Sequence, residues 1–253
     1  MIIILSPSKT LRKEQIPHPA PTLPLFPEKT GKLMRKLQRM SRPQIKKLMG
    51  TSDDLTNLNF ERFQGFDPDF TKALGEPAIY AYQGDAYIGL DSSSWSDEDL
   101  EYAQTRLLIL SGLYGIVHPS TLIQPYRLEM GGRFKIGRDS NLYTFWKTTL
   151  SEHLRTYFQD QNEEILVNLA SREYSDVLDQ KKIGATTIEI HFREWRKDKW
   201  QFISYDSKKA RGTMARYIIQ NRIEKVEHLR KFDLDGYRFN EELSTSGVLF
   251  YTK

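Results

Sequence analysis

Ser6, Ser8 and Lys9 crowd into the segment Ser6-Pro7-Ser8-Lys9-Thr10, directly after the apolar run Met1-Ile2-Ile3-Ile4-Leu5. In parallel sheets the strands are apolar on both faces and the crevice past their carboxyl ends takes the ligand, so hydroxyls and an ammonium at this place can bind or react. Lys9 is thereby a candidate contact for a phosphate or another anion, and Ser6 and Lys9 are candidate catalytic groups. The pattern returns twice. Leu107-Leu108-Ile109-Leu110 feeds Ser111-Gly112-Leu113-Tyr114-Gly115, and Ile165-Leu166-Val167-Asn168-Leu169-Ala170 feeds Ser171-Arg172-Glu173-Tyr174. Three such strands side by side would bring Ser6, Lys9, Tyr114, Asn168, Ser171 and Arg172 into one cleft.

Two further groupings can carry charge chemistry. Arg127 and Glu129 stand two residues apart, hence on one side of an extended segment. There they form an ion pair, which either orients Arg127 toward a phosphate with Glu129 as acid or base, or simply bridges the fold. The stretch Lys208-Lys209-Ala210-Arg211-Gly212-Thr213-Met214-Ala215-Arg216 reads as the start of a helix capped by Asp206 or Ser207. Cations in a first helical turn oppose the helix dipole, which points to a bound anion or to neighbouring acids, and Gly212 leaves room for a close approach.

The elements that must hold these groups follow from pattern. Residues 11–27, with His18-Pro19-Ala20-Pro21, read as an extended loop. Three short helices follow: one with Leu33, Leu37 and Met40, one capped by Ser41 ahead of Pro43, and one capped by Ser52 and bearing Leu55 and Leu58. Residues 77–82 and 86–90, around Gln83-Gly84-Asp85, read as a hairpin. A helix starts at Ser96, and another carries Leu142, Phe145, Trp146, Leu150 and Leu154 on one face. Residues 186–192 and 200–205 form a hairpin around Arg196-Lys197-Asp198-Lys199, and strand-like segments close the chain at 237–239 and 248–251. The expected fold is α+β (mixed α/β), a single domain over residues 1–253 with a central mixed sheet flanked by helices.

Composition narrows the function classes. The chain has no cysteine, which excludes thiolate nucleophiles, iron-sulfur ligation and thiol redox sensing. Its five histidines show no metal-binding spacing, so no metal and no cofactor are expected. No apolar run is long enough to span a bilayer, and the amino-terminal strand lacks the basic start of a signal peptide. A cytoplasmic protein without membrane contact is expected, and a monomer. The net charge of +4 is unevenly placed: residues 29–47 carry eight Lys or Arg and no acid, and residues 193–231 carry twelve against five acids. Neither a phosphate-loop signature nor a nucleophile elbow is present.

Ser6-Pro7-Ser8-Lys9-Thr10, Leu110-Ser111-Gly112-Leu113-Tyr114-Gly115, Pro125-Tyr126-Arg127-Leu128-Glu129-Met130, Leu142-Tyr143 with Phe145-Trp146, Asn168-Leu169-Ala170-Ser171 with Glu173-Tyr174, and Lys208-Lys209-Ala210-Arg211-Gly212 with Met214 come in this order along nearly the whole chain. Together they resemble the bacterial YaaA family of peroxide stress response proteins. The resemblance implies protection against hydrogen peroxide and intracellular iron, and binding of double-stranded and branched DNA through a basic cleft and a helix-hairpin-helix element. Carried over residue by residue, DNA or phosphate contact would fall to Gly112, Leu113, Tyr114 and Gly115 of the hairpin. In the cleft it would fall to Lys9, Arg127, Ser171, Arg172, Lys208, Lys209, Arg211 and Arg216. Two positions depart from the family pattern: Ser8, where alanine is commoner, and His118, where an arginine precedes the proline. A neutral imidazole there would weaken phosphate binding. The alternative is an enzyme acting on a base, nucleoside or nucleotide in a pocket of Ser6, Lys9, Arg127, Glu129, Asn168 and Ser171.

Overall fold

The computed structural model describes residues 1–12, 21–72 and 74–253. The strands in chain order are β1 (Ile2–Leu5), β2 (Thr10–Leu11), β3 (Glu76–Pro77), β4 (Tyr82–Gln83), β5 (Leu107–Ser111), β6 (Gly115–Val117), β7 (Leu122–Ile123), β8 (Ile165–Asn168), β9 (Thr186–Arg196), β10 (Lys199–Gln201), β11 (Asp233–Leu234), β12 (Tyr237–Asn240) and β13 (Val248–Thr252). The helices are α1 (Pro27–Gln38), α2 (Arg42–Met49), α3 (Asp53–Gln64), α4 (Ala78–Ala81), α5 (Asp85–Leu90), α6 (Asp97–Arg106), α7 (Leu142–Asp160), α8 (Arg172–Ser175), α9 (Gln180–Ile183), α10 (Ser204–Gln220) and α11 (Val226–Leu229).

A large mixed sheet runs in the order β11-β12-β13-β9-β8-β1-β5-β6, with β10 paired to β9 beyond that path. The five strands β13, β9, β8, β1 and β5 are mutually parallel, and antiparallel partners close both sides. Ile3 pairs with Leu107 on one side and Val167 on the other, so β1 lies at the centre and its four residues are fully buried. Each such aliphatic side chain contributes roughly 1.5–3 kcal/mol of transfer free energy, which is why an uninterrupted apolar run suits this position. Helices flank the sheet, and the expected mixed α/β class is what the chain adopts. α7 buries Leu142, Phe145, Trp146, Leu150 and Leu154 as their spacing predicts. Met1, Met34, Met130 and Met214 are also buried, while Met40 and Met49 are half-buried at the surface.

Several elements differ from their sequence pattern. The expected hairpin over residues 77–90 is instead the two short helices α4 and α5, with Tyr82–Gln83 pairing to β2. Tyr87 and Leu90, three apart, point inward while Ile88 is exposed, a helical spacing that a strand could not satisfy. On α3 the buried stripe is Thr56, Asn59 and Phe63, and Leu55 and Leu58 face outward. α1 ends before Met40. α10 begins at Ser204, earlier than expected, and the β9–β10 hairpin is correspondingly shorter at its second strand. The expected loop over residues 11–27 gives way to α1 at Pro27, and its His18-Pro19-Ala20 portion lies outside the described residues.

No helix among the described residues is long and apolar enough to cross a membrane.

Candidate functional site

Because β1, β8 and β9 run parallel, their carboxyl ends open on one edge, and there a cleft of about 660 Å³ is found. The loop after β1 supplies Ser6 and Lys9, the loop after β8 supplies Ser171 and Arg172, the cleft-facing side of β9 supplies His191 and Arg193, and α10 supplies Lys208 and Arg211. The sequence brought the first two loops together correctly. β9 was missed as a contributor, although Glu189, His191 and Arg193 recur at every second residue, the signal of one polar strand face.

The mouth is tied across. Ser171 N–H donates to Ser6 Oγ at 2.8 Å, the two hydroxyls lie 3.3 Å apart, and Tyr87 O–H donates to the Ser6 carbonyl at 3.0 Å. Asn168 is buried beneath, its amide donating to both Glu189 carboxylate oxygens at 2.8 and 2.9 Å while its carbonyl accepts from Ala170 N–H. Asn168 therefore fixes strand ends, and Glu189 is already occupied. Lys9 and Arg127 both hold Glu129, at 2.9 Å each. Burial pushes the Glu129 carboxyl up, but hydrogen bonds from Lys9 and Arg127 outweigh it and hold the group below its ordinary value. Glu129 is thus a charged clamp, poorly suited to donate a proton.

The basic stripe of α10 is mostly neutralised. Its cations lie past the first turn, which holds Asp206. Lys208 faces Asp85 at 3.9 Å, Lys209 faces Asp235 at 3.3 Å, and Arg216 pairs with Asp91 at 2.9 Å. The dipole conflict expected for this helix is therefore absent. Gly212 does meet a close neighbour, and that neighbour is the backbone of α5 at Ala86.

Arg211 and Arg193 behave differently. Neither forms an ion pair with a described residue; Arg193 donates to the Phe192 carbonyl and lies near the Phe202 and Phe250 rings. Burial lowers the pKa of both, and for Arg211 the attraction of Glu189 opposes this while Arg193 adds to it. His191 is lowered by burial, then by Arg193 and Arg211, so it is neutral near pH 7. Two guanidiniums with no ion pair among the described residues, beside a neutral imidazole, can offer their N–H forks to an oxyanion.

The helix-hairpin-helix expectation is corrected. Residues 112–115 are the turn between the antiparallel strands β5 and β6, and Leu113 and Tyr114 are completely buried. Ser111 Oγ accepts the Leu113 and Tyr114 amides at 3.2 and 3.0 Å, and Trp146 Nε1 donates to the Gly112 carbonyl at 3.0 Å. With the Leu113 and Tyr114 amides consumed by Ser111 and residues 112–115 all buried, this turn presents no hairpin to a phosphate, and Gly112, Leu113, Tyr114 and Gly115 serve the core. Tyr114 accordingly leaves the predicted cleft. His118 also sits elsewhere, with Nδ1 2.9 Å from the Gln104 carbonyl and its ring against Tyr157.

A family described as "Peroxide stress protein YaaA" matches residues 1–243. The chain belongs to the YaaA family. Curated relatives span the whole of it: a "UPF0246 protein" of Aliivibrio fischeri (strain ATCC 700601 / ES114) is 43% identical over 254 aligned positions, covering 100% of this chain and 98% of that protein. A second, of Saccharophagus degradans, is 41% identical with 100% and 99% covered. In this YaaA-family chain the cleft at the parallel strand ends is where the loops at Ser6 and Ser171 converge.

Proposed function

We propose that the chain acts in the peroxide response by binding nucleic acid, duplex and branched, at this cleft, with phosphate oxygens held between Arg193 and Arg211 and flanked by Lys9, Arg172 and Lys208. The observation that carries the reading is the pair of cleft arginines that form no ion pair among the described residues. Arginines left desolvated and unpaired are unfavourable in isolation, and a phosphate is the ligand that relieves both. Contacts of this kind ignore sequence, and their affinity comes from counterion release. Protection would then arise from covering DNA in the cytoplasm; the chain supplies no thiol to sense peroxide.

Fluorescence anisotropy with duplex and four-way-junction DNA across a salt series tests this. Binding with a steep salt slope that flattens in an Arg193→Ala/Arg211→Ala variant supports the reading; equal slopes in both proteins overturn it.

The cavity volume favours one second reading. About 660 Å³ suits a single nucleotide better than a duplex, in keeping with an enzyme acting on a base, nucleoside or nucleotide. Ser6, Lys9 and Ser171 line that space, Glu129 and Arg127 reach it through Lys9, and Asn168 lies under it. Incubation with nucleotides and damaged nucleosides, followed by chromatography, separates binding from turnover.

A further inference from the structure

The polar face of β9 continues past the cleft. Ile188, Ile190 and Phe192 are buried on one side of this strand, while His191, Arg193 and Trp195 succeed one another on the other, from half-buried to 54% exposed. Trp200 pairs directly across from Trp195 on β10, with ring centroids 5.1 Å apart and planes at 73°. Phe202 follows, 49% exposed and lining the cleft, with the Arg193 guanidinium 5.7 Å from its ring. From the neighbouring strand, Phe250 lies beside His191 at 5.1 Å. Trp195, Trp200 and Phe202 thus leave 54%, 37% and 49% of their surface in water beside the pocket.

The charges around these rings select the occupant. Lys197 and Lys199, at the hairpin tip, form no ion pair among the described residues, and Arg193 forms none below it; Asp198 is the acid of the turn. Glu194 points to the opposite, buried side, where Arg196, Lys253 and Tyr237 O–H hold it. A positively charged face with exposed aromatic rings matches unpaired nucleobases, which stack on the rings while their phosphates follow the cations; base-paired DNA hides those base faces. We propose that the β9–β10 hairpin is a stacking platform for single-stranded nucleic acid, with Trp195, Trp200 and Phe202 engaging successive bases and leading the strand to the arginines of the cleft. This rests on the nucleic-acid reading of the cleft and adds to it a site for the unpaired segment.

The test compares binding of fluorescent 12-nucleotide oligothymidine and of a duplex of equal length to the wild-type chain, to Trp195→Ala/Trp200→Ala and to Trp195→Phe/Trp200→Phe, with circular dichroism melts to show that each is folded. Stacking on two rings predicts a loss of about tenfold or more in oligothymidine affinity for the alanine variant, near-parental affinity for the phenylalanine variant, and duplex affinity unchanged in both. Oligothymidine binding that is equal in the wild-type and alanine proteins overturns the platform. So does a wild-type protein that binds duplex and ignores oligothymidine, which leaves the cleft reading standing. Loss of both ligands by Arg193→Ala/Arg211→Ala with duplex loss alone absent in the tryptophan variants separates the two sites. Sedimentation showing a dimer that the alanine variant abolishes, with oligothymidine binding retained, would assign the rings to a second copy of the chain instead.

Discussion

Gly89 of α5 and Gly212 of α10 are reciprocally placed: a Cβ on Gly89 would collide with the Lys209 carbonyl, three residues before Gly212, and a Cβ on Gly212 with the Ala86 carbonyl, three residues before Gly89. The two helices thus cross backbone to backbone, and this crossing sets how far Lys208 and Arg211 reach into the cleft. Gly212→Ala must push the helices apart. It is expected to cost at least about 2 kcal/mol, the upper part of the range for overpacked cores, read as a lower denaturant midpoint. An alanine variant as stable as its parent would show that the crossing is loose.

A second expectation concerns Tyr126, whose buried O–H lies 2.6 Å from Ser111 Oγ and 2.7 Å from Tyr82 O–H. Tyr126→Phe leaves both neighbours short of a partner, with an expected loss of about 1–3 kcal/mol. In a chain of this size that lowers Tm by roughly 2–4 °C per kcal/mol, measurable by calorimetry.

Acidification should weaken the fold early. Burial lowers the imidazole pKa of His118, His153 and His191 below the usual value near 6.5. Between the folded and unfolded values the unfolded chain binds more protons, so stability is full above about pH 6.5 and falls as pH drops through the folded values. Melting scans from pH 7.5 to 5 should show Tm declining from the upper sixes downward. A flat profile to pH 5 would mean these rings are freely hydrated.

Glu129 answers two cations at once, and its removal changes the charge of the cleft mouth. Glu129→Gln frees Lys9 and Arg127, so duplex affinity is expected to rise severalfold with a steeper salt slope. The partly exposed Lys9 pair contributes little to folding, so the stability cost resides with the less exposed Arg127. Anisotropy at two salt concentrations checks it; weaker binding would instead place Glu129 in contact with the ligand's own donors.

Much of the frame was legible because burial on both faces writes itself as an unbroken apolar run: β1, β5 and β8 were found that way, with the loops at Ser6 and Ser171 that end on the cleft. α7 showed through its apolar spacing. The residues around Gly84 and Gly89 were misread because a short helix packed against another helix's backbone uses small residues in place of an apolar stripe. Leu55 and Leu58 misled for the converse reason, since Thr56 and Asn59 occupy the buried stripe of α3. The turn at residues 112–115 looked like a phosphate-binding hairpin because its glycines are visible in sequence and the Ser111 side chain that consumes its amides is not. The key arginine pair was half seen. Arg211 stood out within a charge run whose other members are paired by Asp85, Asp235 and Asp91, partners more than 20 residues away that no local pattern announces.

Four of the six methionines, Met1, Met34, Met130 and Met214, are sealed within the core, and the chain has no cysteine. Hydrogen peroxide reaching the protein meets thioether sulfur at the half-buried Met40 and Met49. Oxidation of thioethers is thereby steered away from the packed core and toward the groove that Met40 and Met49 line with Glu129 and Glu173.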